Sequence, residues 1–316
     1  MKMKLRIVNC ELQMPPKPAA GRPSANSSFE IRHSPFASAF TLIEVLVAVT
    51  LLSLIVIALM AVFNGTQTAF RAGVTQTDVL ESGRATMDLM AADLRQMSPS
   101  NGTNDGAMNF CVTNYVNQLP FYQQLLPSSN VRANVQENFF ILSSGNQNGV
   151  PTWFGVGYAV VANAPDGSLY SLYRFSANHP MAMAGEPGNL FYVDFQNFLA
   201  EPTNASHLMD GVAGLRLHAF DINGALINTN VPGSVMRTNP LPSIPGEAGY
   251  VFYSNAVPAS VEIEMAAVED RTLQRAESFG SYQGATNYLS RPDLSGKIHV
   301  FRQRVSIPNV DPAAYQ

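Results

Sequence analysis

Glu44 is the one ionisable side chain among the 24 residues from Phe40 to Phe63. A charge carried inside an apolar helix costs roughly 2.5–3.5 kcal/mol at mid-membrane on insertion scales, and such groups usually pair. The chemistry that suits Glu44 is therefore electrostatic: holding a positive group in a medium of low effective dielectric. Elsewhere the reactive residue types are thinly spread. His33, His179, His207, His218 and His299 stand at no metal-ligand spacing with one another or with a cysteine. On strands, His218 and His299 read as structural or exposed. Asp210, Asp221, Glu262 and Glu264 fall near the ends of expected strands, and Glu262 and Glu264 share one face, the pattern of a solvated surface. No D-x-D-x-D-G calcium loop occurs. Neither a catalytic set nor a cofactor is expected.

An apolar helix carries Glu44. Residues 39–63 read AFTLIEVLVAVTLLSLIVIALMAVF. As a helix, Phe40 to Phe63 is roughly 36 Å long at 1.5 Å per residue, against about 30 Å of bilayer hydrocarbon, so the segment can span. No proline follows until Pro99. Leu80, Met87 and Leu94 recur every seven residues, Met90 and Met97 fill the alternate positions, and Gly83 is a gap. Asp78, Glu81, Arg84, Asp88, Asp93 and Arg95 are assigned to the other faces. This two-in-seven stripe predicts a helix laid on its own domain's sheet. Gly65 and Gly73 each weaken a helix by roughly 1 kcal/mol relative to Ala, which suggests a bend or melted turn there.

Beyond the helix the pattern turns to strands. Residues 98–136 are loop-rich. Strands are expected at 139–142, at 153–162 and 168–176 around Pro165-Asp166-Gly167, at 191–195, and at 212–221 before an Asn223-Gly224 turn. Residues 228–249 read as a proline-rich loop, 251–253 and 259–267 as strands, 269–278 as a short charged helix, 280–296 as a loop and 298–307 as a last strand. Phe191, Tyr192, Phe195 and Phe198 are expected in the core. The fold class is α+β: a long N-terminal helix, membrane half plus amphipathic half, packed on an antiparallel β-sheet head.

Charge divides along the chain. Residues 1–39 hold Lys2, Lys4, Arg6, Lys17, Arg22 and Arg32 against Glu11 and Glu30. Taking these from the totals of 19 Lys and Arg and 23 Asp and Glu leaves 13 and 21, a net charge of −8 after residue 39. A basic flank before an apolar helix predicts a cytoplasmic N-terminus and an extracytoplasmic head. The acidic head argues against nucleic acid as a partner, since no phosphate-neutralising face is available. Residues 14–27 are Pro-, Ala- and Ser-rich and read as disordered. A secretory signal peptide carries its apolar stretch before the cut; Ala37-Ser38-Ala39 has none before it. With Cys10 in the leader, Cys111 would stand alone in a mature chain.

Ala39 to Ala48, Ala-Phe-Thr-Leu-Ile-Glu-Val-Leu-Val-Ala, resembles the cleavage and methylation motif of type IV pilins and type II secretion pseudopilins. The resemblance implies that a prepilin peptidase cuts between Ala39 and Phe40, that Phe40 becomes N-methylated, and that Glu44 is the assembly carboxylate. The family usually has Gly before the cut; Ala39 stands here, which implies slower cleavage. The implied organisation is a removed cytoplasmic leader at 1–39, a transmembrane and filament-core helix at 40–63, an amphipathic stalk helix at 64–97 and an extracytoplasmic head at 98–316. The implied partners are the peptidase, other pilin-like subunits, the membrane and an inner-membrane assembly platform.

The head carries a second resemblance. Met209-Asp210-Gly211-Val212 leads into Leu215–Asp221, Val257-Pro258-Ala259-Ser260-Val261-Glu262 opens a strand, and Phe301–Pro308 ends in Ile-Pro. This order, with residues 81–96 of the stalk, is similar to the J-type minor pseudopilin and its W-type pilus relative. The expected function is a non-enzymatic minor pseudopilin of a type II secretion pseudopilus. The alternatives are a minor subunit of a type IV pilus and, from another class, an uncleaved signal-anchored extracytoplasmic enzyme or binding protein.

Overall fold

A computed structural model describes residues 41–315, apart from 103–107, 115–120, 126–129, 164–168, 184, 203–204, 228–235 and 241–247. The fold is α+β, with a long N-terminal helix and largely antiparallel sheets. The chain divides into two compact units, residues 1–62 and 63–316.

From Leu42 onward the described part of the first unit is helical and belongs to α1 (Leu42–Arg95). Among the described residues α1 is the one helix long and apolar enough to cross a membrane. Every large apolar side chain from Leu42 to Phe63 is 44–83% exposed, so this segment needs a medium other than water to cover it. Its hydroxyls are already satisfied within the helix: Thr50 Oγ1 donates to the Val47 carbonyl and Ser53 Oγ to the Val49 carbonyl, each at 2.8 Å. An apolar medium requires such internal pairing.

In the second unit, β1 (Met108–Asn114), β4 (Glu137–Gln147), β5 (Val150–Asn163), β6 (Leu169–Pro180), β7 (Ser206–Met209), β9 (Met236–Pro240) and β10 (Ala248–Tyr253) form a seven-stranded sheet. Its order is β7-β6-β5-β4-β1-β10-β9, antiparallel at every step. β8 (Val212–Phe220), β11 (Ser260–Val268) and β12 (Ile298–Ser306) form a second sheet in the order β12-β11-β8. β2 (Phe121–Gln124) and β3 (Val131–Asn134) make a short ribbon. Helices α2 (Pro187–Ala200), α3 (Asp270–Glu277) and α4 (Tyr282–Leu289) complete the unit.

The main core joins the later part of α1 to both large sheets. Val79, Met87, Met90, Ala91, Leu94 and Met97 bury against Phe110, Phe139, Ile141, Tyr158, Leu217, Ile263 and Met265 among others. The heptad gap at Gly83 has a reason: an added Cβ would lie 2.4 Å from the Phe301 ring of β12. The stripe begins at Val79 rather than Leu80, which is half-buried. α1 is continuous through Gly65 and Gly73, where a side chain would meet nothing within 4 Å. No turn is melted there. After Arg95 the helix tightens, with Gln96 and Met97 bonding three residues back, and Ser98 N–H then donates to Leu142 of β4 at 3.0 Å.

A second core lies on the opposite face of the seven-stranded sheet, where α2 covers Cys111, Phe140, Leu142, Ala159 and Tyr173. Residues 191–195, expected as a strand, are helical. Pro187 suits the first helical turn, and Phe191, Phe195 and Phe198 recur at i, i+4 and i+7, so one helical face carries all three to the sheet. The sheet makes room through Gly155 and Gly157 of β5, where an added Cβ would stand 2.6 Å from Phe191 and Phe195 respectively. A glycine pair inside a strand marks such an approach.

Further corrections follow from turns and side chains. Residues 98–136 include three strands, and residues 236–240, expected in a loop, pair with β10. Residues 280–296, also expected as a loop, hold α4 and a 3-10 turn from Pro292 to Lys297. Ser281 starts α4 by accepting a hydrogen bond from Gly284 N–H. β4 and β5 join through Asn148-Gly149, both at positive φ, 52° and 86°, the two-residue turn whose twist matches paired strands. The expected Pro165-Asp166-Gly167 turn lies outside the described residues, between two strands that do pair.

Candidate functional site

Ala39 and Phe40, the residues of the expected processing site, lie outside the described residues. The structure begins one residue later, and there Thr41 and Glu44 close on one another. Thr41 N–H donates to Glu44 Oε2 at 2.8 Å and Thr41 Oγ1–H donates to the same oxygen at 2.9 Å. Glu44 N–H lies 3.4 Å from Thr41 Oγ1 and 3.0 Å from the Thr41 carbonyl. This is a capping box: a threonine and a glutamate three residues on each satisfy the other's open backbone group. A carboxylate in the first turn also meets the positive end of the helix dipole. Glu44 therefore organises the start of its own helix. Thr-x-x-Glu before an apolar run is a capping signature legible in the sequence.

The helix is tied to the head by a buried polar contact. Asp93, expected on an outer face, is buried against the sheet. Arg174 of β6 donates to it twice, Nε at 2.8 Å and an Nη at 3.1 Å, and Tyr158 O–H of β5 donates at 2.5 Å. Tyr158 and Arg174 are register partners, so both point to the same face. Burial, then the Asp93 hydrogen bond, pushes the Tyr158 phenol well above its ordinary range. The Asp93 hydrogen bond raises Arg174. Both groups keep the protonation state that the contact needs.

The reactive residue types are spread over several structural contacts. Ser171 Oγ–H donates to Asp210 Oδ1 at 2.6 Å and His207 Nε2 lies 2.8 Å from the same atom. The carboxylate thus stands between serine and histidine, whereas nucleophile activation needs the histidine against the serine. His179 pairs with Asp194 at 3.0 Å, and His299 and Lys297 both meet Glu269. His33 lies outside the described residues. Cys111 is buried, and desolvation pushes its thiol up to about 12, far from a reactive thiolate. Among the described residues no three His, Cys, Asp or Glu side chains come together as a metal would require.

The outer face of the small sheet is an ion ladder and not simply solvated. Glu264 stands between Arg302 of β12, to which it is hydrogen-bonded, and Arg216 of β8 at 3.8 Å, with Glu262 and Arg302 3.6 Å apart. Arg304 lies over the Phe220 ring at 3.8 Å. At Asp221, the side chain accepts from Asn223 N–H and Ala225 N–H and shapes the expected Asn223-Gly224 turn.

The apolar helix opened by Thr41 and Glu44 is thus the candidate functional site. Set against models of protein families, curated proteins and solved structures, this chain finds no match in any of the three.

Proposed function

We propose that the chain is a minor pseudopilin of a type II secretion pseudopilus, anchored in the inner membrane with its head extracytoplasmic. A prepilin peptidase would cut between Ala39 and Phe40 and the new amino terminus would be N-methylated. The apolar half of α1 would then leave the bilayer for the core of a filament built with other pilin-like subunits on an inner-membrane platform. One observation carries this reading: a Phe-Thr-Leu-Ile-Glu motif stands at the start of an unbroken helix whose first 22 residues expose their apolar side chains all round. A bilayer and a filament core are the two media that accept such a surface.

In this reading Glu44 has two tasks. It caps its own helix through Thr41, and in the filament it meets the positive amine of Phe40 from a neighbouring subunit. Removing one partner of a buried ion pair costs roughly 3–5 kcal/mol. The conservative variant separates the tasks. Glu44→Gln retains a capping-box residue but has no charge, whereas Glu44→Ala loses both. Both variants should stay membrane-bound and fail to co-purify with the filament subunits. Normal incorporation of Glu44→Gln would rule out the ionic role.

The primary test is the mass of the N-terminal peptide after co-expression with a prepilin peptidase. A peptide beginning at N-methyl-Phe40 is expected, and Ala39→Gly should speed its appearance. An intact leader beside a correctly processed control prepilin would overturn the reading in favour of a simple signal anchor.

A further inference from the structure

Two methionines of the head stand apart from the rest. Among the described residues after Phe63, every other methionine is buried in the main core or packs against the second, as Met90, Met265 and Met108 do. Met181 and Met183, just past the end of β6, belong to neither core. Met183 is 47% exposed and Met181 is half-buried. Both stand in the run His179-Pro180-Met181-Ala182-Met183. Thioether sulfur is a soft ligand that selects Cu(I), and imidazole suits copper as well. A histidine with two methionines is therefore a donor set for that ion.

The backbone gathers these groups. Met181 N–H donates to the Pro151 carbonyl at 3.0 Å, which carries the β5–β6 pairing one residue past Pro180. His179 and Met181 are two residues apart on this extended chain and so share a face of the sheet. The chain then turns, with Met183 N–H donating to the Pro180 carbonyl at 3.0 Å, and the turn keeps the second methionine beside the strand end. Trp153 of β5 is the register partner of His179 and lies on the same face. An indole ring thus stands beside the donors, and an aromatic face attracts a cation.

Asp194 of α2 sets the imidazole. His179 Nε2 lies 3.0 Å from Asp194 Oδ2. An ionised carboxylate only accepts, so Nε2 carries the proton and Nδ1 keeps its lone pair for a metal. Ligating histidines commonly hold a carboxylate on the other ring nitrogen, which fixes their tautomer and orientation. The Phe191 ring, edge-on to the imidazole at 4.8 Å, steadies it further. We propose that His179, Met181 and Met183 form a site for Cu(I), with the Trp153 ring against the bound cation and Asp194 positioning His179. This proposal does not depend on the filament reading, and its test uses unprocessed protein.

The test uses the full chain in detergent micelles, with Cys10→Ser and Cys111→Ala so that no thiol competes. Ag(I), a redox-inert stand-in for Cu(I), is titrated in chloride-free buffer. Trp153 is the chain's one tryptophan, so its fluorescence reports binding at this place. A single equivalent of silver should quench it. An excess of Zn(II), which favours thiolate, imidazole and carboxylate donors, should not reverse the quenching. With 13C-labelled methionine methyls, the Met181 and Met183 signals should shift while those of the core methionines hold still, a readout that leaves the site unmutated. Met181→Leu and Met183→Leu keep the bulk and remove the sulfur, and each should weaken binding about tenfold or more. Asp194→Ala should weaken it by about 10–100-fold, and Asp194→Glu should recover part of that loss. Cu(I) kept reduced by ascorbate should pass from a coloured chelator to the parent and not to the double leucine variant. Absence of quenching, reversal by zinc, methyl shifts confined to other methionines, or full affinity in both leucine variants would each overturn the site. Full affinity in Asp194→Ala would overturn the positioning role, and silver binding without copper transfer would overturn the assignment to Cu(I).

Discussion

One helix, α1, supplies two segments with opposite surfaces. From Leu42 to Phe63 the large apolar side chains are 44–83% exposed, while the apolar stripe from Val79 to Met97 is 0–4% exposed. Apolar content alone does not explain the contrast; distribution around the helix does. In the first segment apolar residues occupy every face, so no one sheet could cover them. In the second, Glu81, Arg84, Asp88 and Arg95 stand exposed, and the apolar side chains concentrate on the remaining face. A helix of the first kind needs an apolar surrounding medium. A helix of the second kind becomes part of a domain core.

Paired substitutions offer the strongest way to break this comparison. Leu94→Ala should destabilise the head by roughly 2–5 kcal/mol, since it removes a fully buried side chain and leaves a cavity. Leu52→Ala should leave the head's thermal midpoint unchanged. A midpoint shift from Leu52→Ala as large as that from Leu94→Ala would erase the distinction. Next in size is Asp93→Ala, which strands Tyr158 and Arg174 against the core. Arg174 keeps 23% of its side chain exposed. Its loss should therefore fall below that of a fully buried pair, about 2–3 kcal/mol by urea denaturation. If the variant matches the parent, the contact gives register and no stability.

Smaller effects sharpen the picture. Gly157→Ala drives a Cβ toward Phe195 and should cost about 1–3 kcal/mol by overpacking. Gly65→Ala, where the space is open, should be neutral or slightly favourable to the helix. The least effect is expected at Asp270. Burial, then the neighbouring carboxylates of Asp78 and Asp210, raises its pKa above the ordinary value. A raised acid disfavours the folded state above the unfolded-state pKa, and the penalty fades as pH falls and the carboxyl protonates. Asp270→Asn should therefore raise the midpoint slightly at pH 7, with the gain shrinking toward pH 3. A gain that grew on acidification would reverse the assignment.

Much of the architecture could be read from particular residues. The stripe at Met87, Met90, Leu94 and Met97 indicated a helix on its own sheet, and the alternation at Val261, Ile263 and Met265 indicated the strand β11. One misreading occurred where two periodicities compete. Phe191 to Phe195 is apolar enough for a strand, but Phe191, Phe195 and Phe198 also fit a helix. The outcome depended on Gly155 and Gly157, more than 30 residues away, which let those rings reach the sheet. Asp93 read as a surface charge because its partners, Tyr158 and Arg174, lie 65 and 81 residues further along. At the candidate site the converse holds. The capping box of Thr41 and Glu44 is a contact between residues three apart and was present in the sequence throughout.

By itself the sequence determined the features that short spacing governs: the apolar span with its single carboxylate, the helix cap, the amphipathic stripe, the Asn148-Gly149 turn and the split of charge at residue 39. Local backbone preference and side-chain periodicity set these without help from distant residues. Only the tertiary structure decided that Asp93 would be buried, that α2 would be a helix on the second face of the sheet, and that residues 236–240 would pair with β10. Each of these depends on which distant groups arrive to satisfy a charge, make room for a ring or pair with a strand. No local pattern encodes that arrival; the packed fold brings those groups together.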